Sequence, residues 1–274
     1  MEALRKIADR FQTTVPDSIG KQCEKHLPKV VNLILVEGEE VCPLCERDRE
    51  NEMLSQIETA KYKSALNRKK YSAFADKSIL TNVDLYDASF GNYEAAEPEE
   101  VTNKEKAIKT FKKYKDGEVF NTWLTGMPGV GKSHLAMSIL RNLNESGEKN
   151  KACIFVSVDE MLRMIRSSFD NKESKFTEFY FVDLLSNADY IVLDDLGAET
   201  GGTGTKKTAT DFTLRVLYAI ANARQDKPTI VTTNLSKEEL VKMYDAKLVS
   251  RLRGSQALIK FTDTSDKRMK TIEL

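Results

Sequence analysis

Apolar positions fall into two regimes along this chain. From residue 119 onward, short stretches rich in apolar and β-branched residues recur at residues 119–124, 152–158, 190–193, 229–233 and 257–261. Runs of this length, bounded by polar or turn residues, mark strands buried on both faces. Between them lie segments with apolar residues at helical spacing, such as 134–140. Gly147 stops one of these helices, Ser236 and Glu239 form a capping box that opens another, and 250–253 read as a short helix. The alternation predicts an α/β fold with a mostly parallel sheet covered by helices. Upstream the pattern thins. Residues 50–75 carry a loose helical pattern through Met53, Leu54, Ile57 and Leu66, followed by an extended linker broken by Asn82, Gly91, Asn92 and Pro98. Residues 30–36 read as a strand or short hairpin, and the chain holds no internal repeat.

One junction between a strand and a helix carries chemistry. Gly126, Met127, Pro128, Gly129, Val130, Gly131, Lys132 and Ser133 form a complete phosphate-binding loop, placed between the apolar run at 119–124 and the helix that His134 opens. Glycines let backbone N–H groups crowd a β-phosphate without side-chain clash, and the helix N-terminus adds partial positive charge. Lys132 would reach the β/γ-phosphates and Ser133 would ligate Mg²⁺. The chain is therefore expected to bind a nucleoside triphosphate.

About sixty residues later, the run at 190–193 ends in Asp194 and Asp195. An apolar strand pays a desolvation penalty for carboxylates unless they meet a cation. Asp194 is the candidate for holding Mg²⁺ through water and Asp195 for polarising the attacking water. The run at 229–233 likewise ends in a polar group, Asn234, suited to hydrogen-bonding the γ-phosphate and that water. Arg251, on the short helix, offers a guanidinium for transition-state charge, supplied in cis or from a neighbour.

Charge narrows the partners. Lys+Arg and Asp+Glu are equal at 42 each, so a claim of nucleic-acid binding must rest on local patches. No apolar run approaches the roughly 18 residues that span a bilayer, and residues 1–6 lack a signal-peptide core. A cytoplasmic protein without a membrane partner is expected. There thiols stay reduced, and clustered cysteines point to metal.

Three of the four cysteines and one of the two histidines lie before residue 50. Cys23 and His26 form one close pair, Cys42 and Cys45 another, with fifteen residues between. That spacing suits a closed, structural tetrahedral Zn²⁺ site stapling residues 30–36, because so short a segment builds little core alone. The alternative is separate buried thiols beside a surface histidine. Cys153, inside an apolar run, reads as core.

Together these segments resemble the AAA+ ATPases, and among them the DnaC/DnaI-type replicative helicase loaders and their IstB-like relatives. The resemblance runs from about Ala88 to Leu274 and is carried by 126–135, 193–199, 229–236, Ser250, Arg251 and Leu252, with support from 88–93 and 212–224. It implies an α/β parallel-sheet P-loop AAA+ core without a C-terminal lid, since only forty residues follow Asn234. A small zinc-binding N-terminal module and a helical linker precede that core. The implied domains are 1–49 for helicase docking, 50–87 for the linker and 88–274 for the ATPase. The resemblance also implies that 88–93 approach the adenine, that Arg251 acts on a neighbour's ATP in an ATP-bridged oligomer, and that Arg268 touches nucleotide. Asp195 stands where most AAA+ proteins carry Glu, which predicts slow hydrolysis.

The implied function is ATP-dependent loading of a replicative hexameric helicase onto single-stranded DNA. The alternatives are an IstB-like transposition helper and a non-hydrolysing adaptor. By the same resemblance, Arg163, Arg166, Lys172 and Lys175 are candidate DNA contacts. The cation–aromatic clusters at 61–63, 68–71 and 112–115 read more simply as solvated helix faces.

Overall fold

The computed structural model describes residues 18–200 and 208–268. The start of the expected N-terminal module, including residues 1–6, lies outside the described residues. The chain forms two compact units, residues 1–65 and 66–274. Their junction falls inside the helix Pro43–Lys77.

In the first unit, β1 (Ser18–Gln22), β2 (Asn32–Val36) and β3 (Glu39–Val41) form an antiparallel sheet in that order. Glu37 and Gly38 join β2 to β3 with φ of 52° and 90°. Two consecutive positive φ values are what a two-residue hairpin turn needs to match strand twist. Pro43 then opens α1 (Pro43–Lys77), where its missing N–H costs nothing. No side chain of α1 is buried.

The second unit alternates as the apolar pattern predicts. After α1 come a 3₁₀ turn (Val83–Asp87) and α2 (Pro98–Lys115). Then follow β4 (Asn121–Thr125), α3 (Lys132–Glu145), β5 (Cys153–Ser157), α4 (Val158–Ser167) and α5 (Glu178–Asn187). The chain continues through β6 (Tyr190–Asp194), α6 (Asp211–Ala223), β7 (Thr229–Thr233), α7 (Lys237–Tyr244), α8 (Ala246–Arg253) and β8 (Gln256–Lys260). The strands pair in parallel in the order β5-β6-β7-β4-β8. Val119 stays outside β4 and exposed.

Successive side chains on a strand face opposite sides, so β4, β5, β6 and β7 each feed two cores. On β6, Ile191 and Leu193 join Trp123, Val156, Phe181 and Leu217 on one face. Val192 joins Leu124, Phe155, Leu140 and Ile259 on the other. Burial on both faces is the reason the inner strands lack a regular alternation of apolar and charged residues. The extended segment before the 3₁₀ turn has a structural task the sequence pattern did not suggest. Ile79 bridges Val156 in parallel, donating its N–H to Phe155 O at 2.7 Å and accepting from Ser157 N–H at 2.9 Å. That bridge covers part of the open β5 edge. Among the described residues, no helix follows β8.

Candidate functional site

The phosphate loop turns directly from the end of β4 into α3. Gly126 and Gly131 adopt φ of 152° and 95°. A Cβ at Gly126 would lie 2.7 Å from the Phe261 backbone oxygen, and one at Gly131 would lie 2.7 Å from the Tyr93 ring. These glycines are therefore required twice, by backbone angle and by close packing. The loop forms one wall of a cavity of about 390 Å³, with Pro128, Gly129, Gly131, Lys132, Ser133 and His134 among its lining residues. Val130 points into the core and the Met127 side chain is exposed, so these two line the loop from outside the cavity.

Asp194, Asp195, Asn234 and Arg268 reach the same cavity from the ends of β6 and β7 and from the segment after β8. Parallel strands present their carboxyl ends on one edge, which brings residues more than a hundred positions apart together. The Lys132 ammonium uses all three protons, on Gly126 O at 2.9 Å, Met127 O at 2.7 Å and Asn234 Oδ1 at 2.6 Å. Burial lowers its pKa to about 8, against the opposing pull of Asp195 and Asp194. Asp194 is buried and accepts from the Thr232 hydroxyl at 2.6 Å. Burial and the charge of Asp195 raise its carboxyl to about 6, while the Thr232 and Ser133 hydroxyls and Lys132 hold it down. Asp195 sits at φ 53°, outside the strand.

His134 faces the 88–93 segment. Its Nε2 lies 2.9 Å from Ser89 O and 3.1 Å from Asn92 Oδ1, and its ring meets Tyr93 edge-on at 5.3 Å. Arg268 pairs with Asp266 at 3.2 Å. The backbone N–H of Lys267 reaches Gly129 O at 3.1 Å, so the segment after β8 lies across the loop. Glu99 anchors that segment, accepting from the backbone and side chains of Thr262 and Thr264 and from Asp263 N–H. Those bonds outweigh burial and hold the Glu99 carboxyl down near 2.

Arg251 is not brought to this cavity. It is exposed on α8, 5.4 Å from the Tyr218 ring, and lines a separate hollow with Val119, Lys227 and Ser255. Among the proposed DNA contacts, Arg163 pairs with Glu160, Arg166 stacks 5.4 Å from the Phe212 ring and Lys175 lies 5.1 Å from Phe176. Exposed Phe169 lies 5.6 Å from Phe212.

The donor set fits a phosphorylated nucleotide. Glycine cradle, ammonium, strand-end carboxylate and serine hydroxyl converge on one cavity. The Tyr93 hydroxyl on its wall is buried with no hydrogen-bond partner, a vacancy a polar ligand relieves.

The second cluster lies in the first unit. One ligand atom from each of Cys23, His26, Cys42 and Cys45 falls within 4.8 Å of every other. The Sγ atoms of Cys23 and Cys45 are 3.7 Å apart, and His26 Nδ1 lies 3.3, 3.6 and 3.8 Å from the sulfurs of Cys23, Cys42 and Cys45. A tetrahedral ion with metal–sulfur arms of about 2.3 Å requires S···S edges of about 3.8 Å. The cluster can hold such an ion. On its far side, His26 Nε2 lies 3.5 Å from Asp48 Oδ2. A carboxylate there fixes the ring so that Nδ1 faces the thiols.

Sequence reasoning did not find Thr232, Asp48 or the Glu99 anchor. Thr232 carried a faint signal, because strand periodicity puts it on the same side of β7 as Asn234. The other two depend on folds of the chain that local pattern does not reveal.

A family model described as Nephrocystin 3, N-terminal, matches residues 102–174, which include the phosphate loop. The replicative helicase loader DnaC of Escherichia coli (strain K12) is 27% identical over 172 residues, covering 62% of this chain and 64% of that loader. The chain is similar to DnaC-type helicase loaders over this stretch. It thus spans just under two thirds of the length of that curated relative. The crystal structure of the DnaC helicase loader shares the fold, with TM-score 0.53 and 21% identity over 66% of this chain and 100% of that one. The crystal structure of DnaI does so with TM-score 0.51 and 21% identity over 73% of this chain and 100% of that one. The chain therefore has the P-loop fold of these AAA+ structures, and no described helix is long and apolar enough to cross a membrane.

Proposed function

We propose that this protein is an ATP-dependent replicative helicase loader. The observation that carries the reading is the convergence of Lys132, Ser133, Asp194 and Asn234 on one glycine-cradled cavity in a chain similar to DnaC. ATP supplies the phosphoanhydride bond. Lys132 binds its β/γ-phosphates, exchanging loop carbonyls for phosphate oxygens, and Asn234 orients the terminal phosphate. Ser133 and Asp194 would hold Mg²⁺, Asp195 orients a water and takes its proton, and Arg268 contacts nucleotide from the segment after β8. Exposed Arg251 acts on the ATP of a neighbouring copy, so nucleotide bridges subunits.

Cys23, His26, Cys42 and Cys45 hold a structural zinc that shapes the N-terminal region for docking on the hexameric helicase. Single-stranded DNA runs past Arg163, Arg166, Lys172 and Lys175, where exposed Phe169 offers a stacking face. A second reading, an adaptor that binds ATP and turns it over little or not at all, is favoured by Asp195. Its short side chain leaves a left-handed backbone.

The deciding experiment is light scattering after size exclusion, on the protein mixed with the replicative helicase of its own source, with and without ATP and Mg²⁺. The loader reading expects a stable complex, lost on deleting residues 1–65. No complex under any condition sinks it. Turnover in the parent, abolished in Lys132→Ala, removes the adaptor reading.

A further inference from the structure

Both aspartates at the end of β6 lean on one hydroxyl from the next strand, Asp194 through its carboxylate and Asp195 through its backbone N–H. Thr232 Oγ1 donates to Asp194 Oδ1 at 2.6 Å and accepts from Asp195 N–H at 2.9 Å. The backbone completes the clasp, since Leu196 N–H donates to Thr232 O at 2.9 Å and the Thr233 hydroxyl donates to Leu196 O at 2.6 Å. Thr232 is fully buried, so no water can replace its hydroxyl without cost. A hydroxyl has one proton and two lone pairs, enough to serve both partners at once.

This arrangement matters most where the backbone is least settled. Asp195 leaves β6 at φ 53°, a left-handed angle that few residues other than glycine adopt. Its N–H is held there by the oxygen of Thr232. The same oxygen's proton sets which face of the Asp194 carboxylate remains for Ser133 and a cation. Two residues on, Asn234 accepts from Lys132 at 2.6 Å, so the end of β7 touches the Asp194 carboxylate, the Asp195 backbone and the ammonium.

We infer that Thr232 is a positioning residue for the Mg²⁺–nucleotide site: its hydroxyl orients Asp194 toward the cation and fixes the backbone from which Asp195 acts. This rests on the reading of the cavity as a nucleotide site. It predicts that the hydroxyl acts only through the two aspartates, so phosphate binding by the loop itself does not need it.

The test is calorimetric titration of the full chain with ATP, in Mg²⁺ and in EDTA, together with turnover, for the parent, Thr232→Val and Thr232→Ser. Val keeps the shape and removes both hydrogen bonds. It should lose about 10- to 100-fold in Mg²⁺-dependent ATP affinity, the range for removing a hydrogen bond behind a metal ligand. Any parent turnover should fall through kcat more than KM. Affinity in EDTA should stay within about twofold of the parent, and Ser should restore Mg²⁺-dependent binding to within about threefold. Equal losses in EDTA and Mg²⁺, or a Ser variant as weak as Val, would place the effect in packing and overturn the inference. Parent-like Val does the same. A parent that binds no ATP under either condition brings down the nucleotide reading and this inference with it.

Discussion

The two units hold themselves together by opposite means. In residues 66–274, a five-stranded sheet is buried on both faces, and side chains such as Trp123, Phe155 and Leu140 have no exposed surface. In residues 18–65, the only buried apolar side chains among those described are Cys23 and Cys42, both in the Cys/His cluster. A unit this small removes little apolar surface from water to offset chain entropy, so coordination by the Cys/His cluster would stand in for a core. The functional consequence is that one site is built on a rigid scaffold and the other is itself the scaffold.

Removing the metal should break the comparison most severely. Cys42→Ser, or chelation of the parent, should take zinc content by elemental analysis from one ion per chain to none and abolish amide-exchange protection in β1–β3. Protection in β4–β8 should persist. Loss of protection in both units would show that they are not independent. The converse cut is Trp123→Ala, which removes the largest fully buried side chain and its bond to Leu252 O at 3.2 Å. It should cost residues 66–274 about 3–5 kcal/mol in denaturant unfolding and leave zinc content unchanged.

A subtler change separates stability from function inside the larger unit. The Asp194 carboxyl is raised from 3.8 to about 6 by burial, so its ionised form opposes folding. An acid raised in this way stabilises the fold when protonated, and that contribution is lost as pH rises through about 6. Asp194→Asn should therefore stabilise the unit by about 1–3 kcal/mol at pH 7.5, with a smaller gain at pH 5, while abolishing Mg²⁺-dependent ATP binding. Thermal unfolding at the two pH values checks the sign. A variant less stable than the parent at pH 7.5 would refute it. At the smallest end, Ile57→Ala on the exposed face of α1 should change stability by less than about 0.5 kcal/mol by the same measurement. A larger loss would mean that this face is covered in solution.

Chemistry confined to a short stretch was legible before any fold was known. The phosphate loop announces itself because its glycines, lysine and serine act through one continuous turn of backbone. The strand-end aspartates stand out because apolar strands do not carry carboxylates without cause, and the two ligand pairs because their spacing suits knuckles. Regular alternation likewise specified an α/β sheet covered on both faces, since period and burial are local properties of the chain.

What spacing could not convey was adjacency across the sheet. The order β5-β6-β7-β4-β8 places Thr232 against Asp194 and Asn234 against Lys132, separations of 38 and 102 residues. Tyr93 behind Gly131, Ile79 on the β5 edge and Asp48 behind His26 are of the same kind. Each is an ordinary residue made functional or structural by what the tertiary fold sets beside it. Sequence alone determined which groups can bind phosphate and metal, because that chemistry resides in the side chains and the local backbone. Only the tertiary structure decided which groups hold them in place, because hydrogen bonds and van der Waals contacts act over a few ångströms of space and not along the chain.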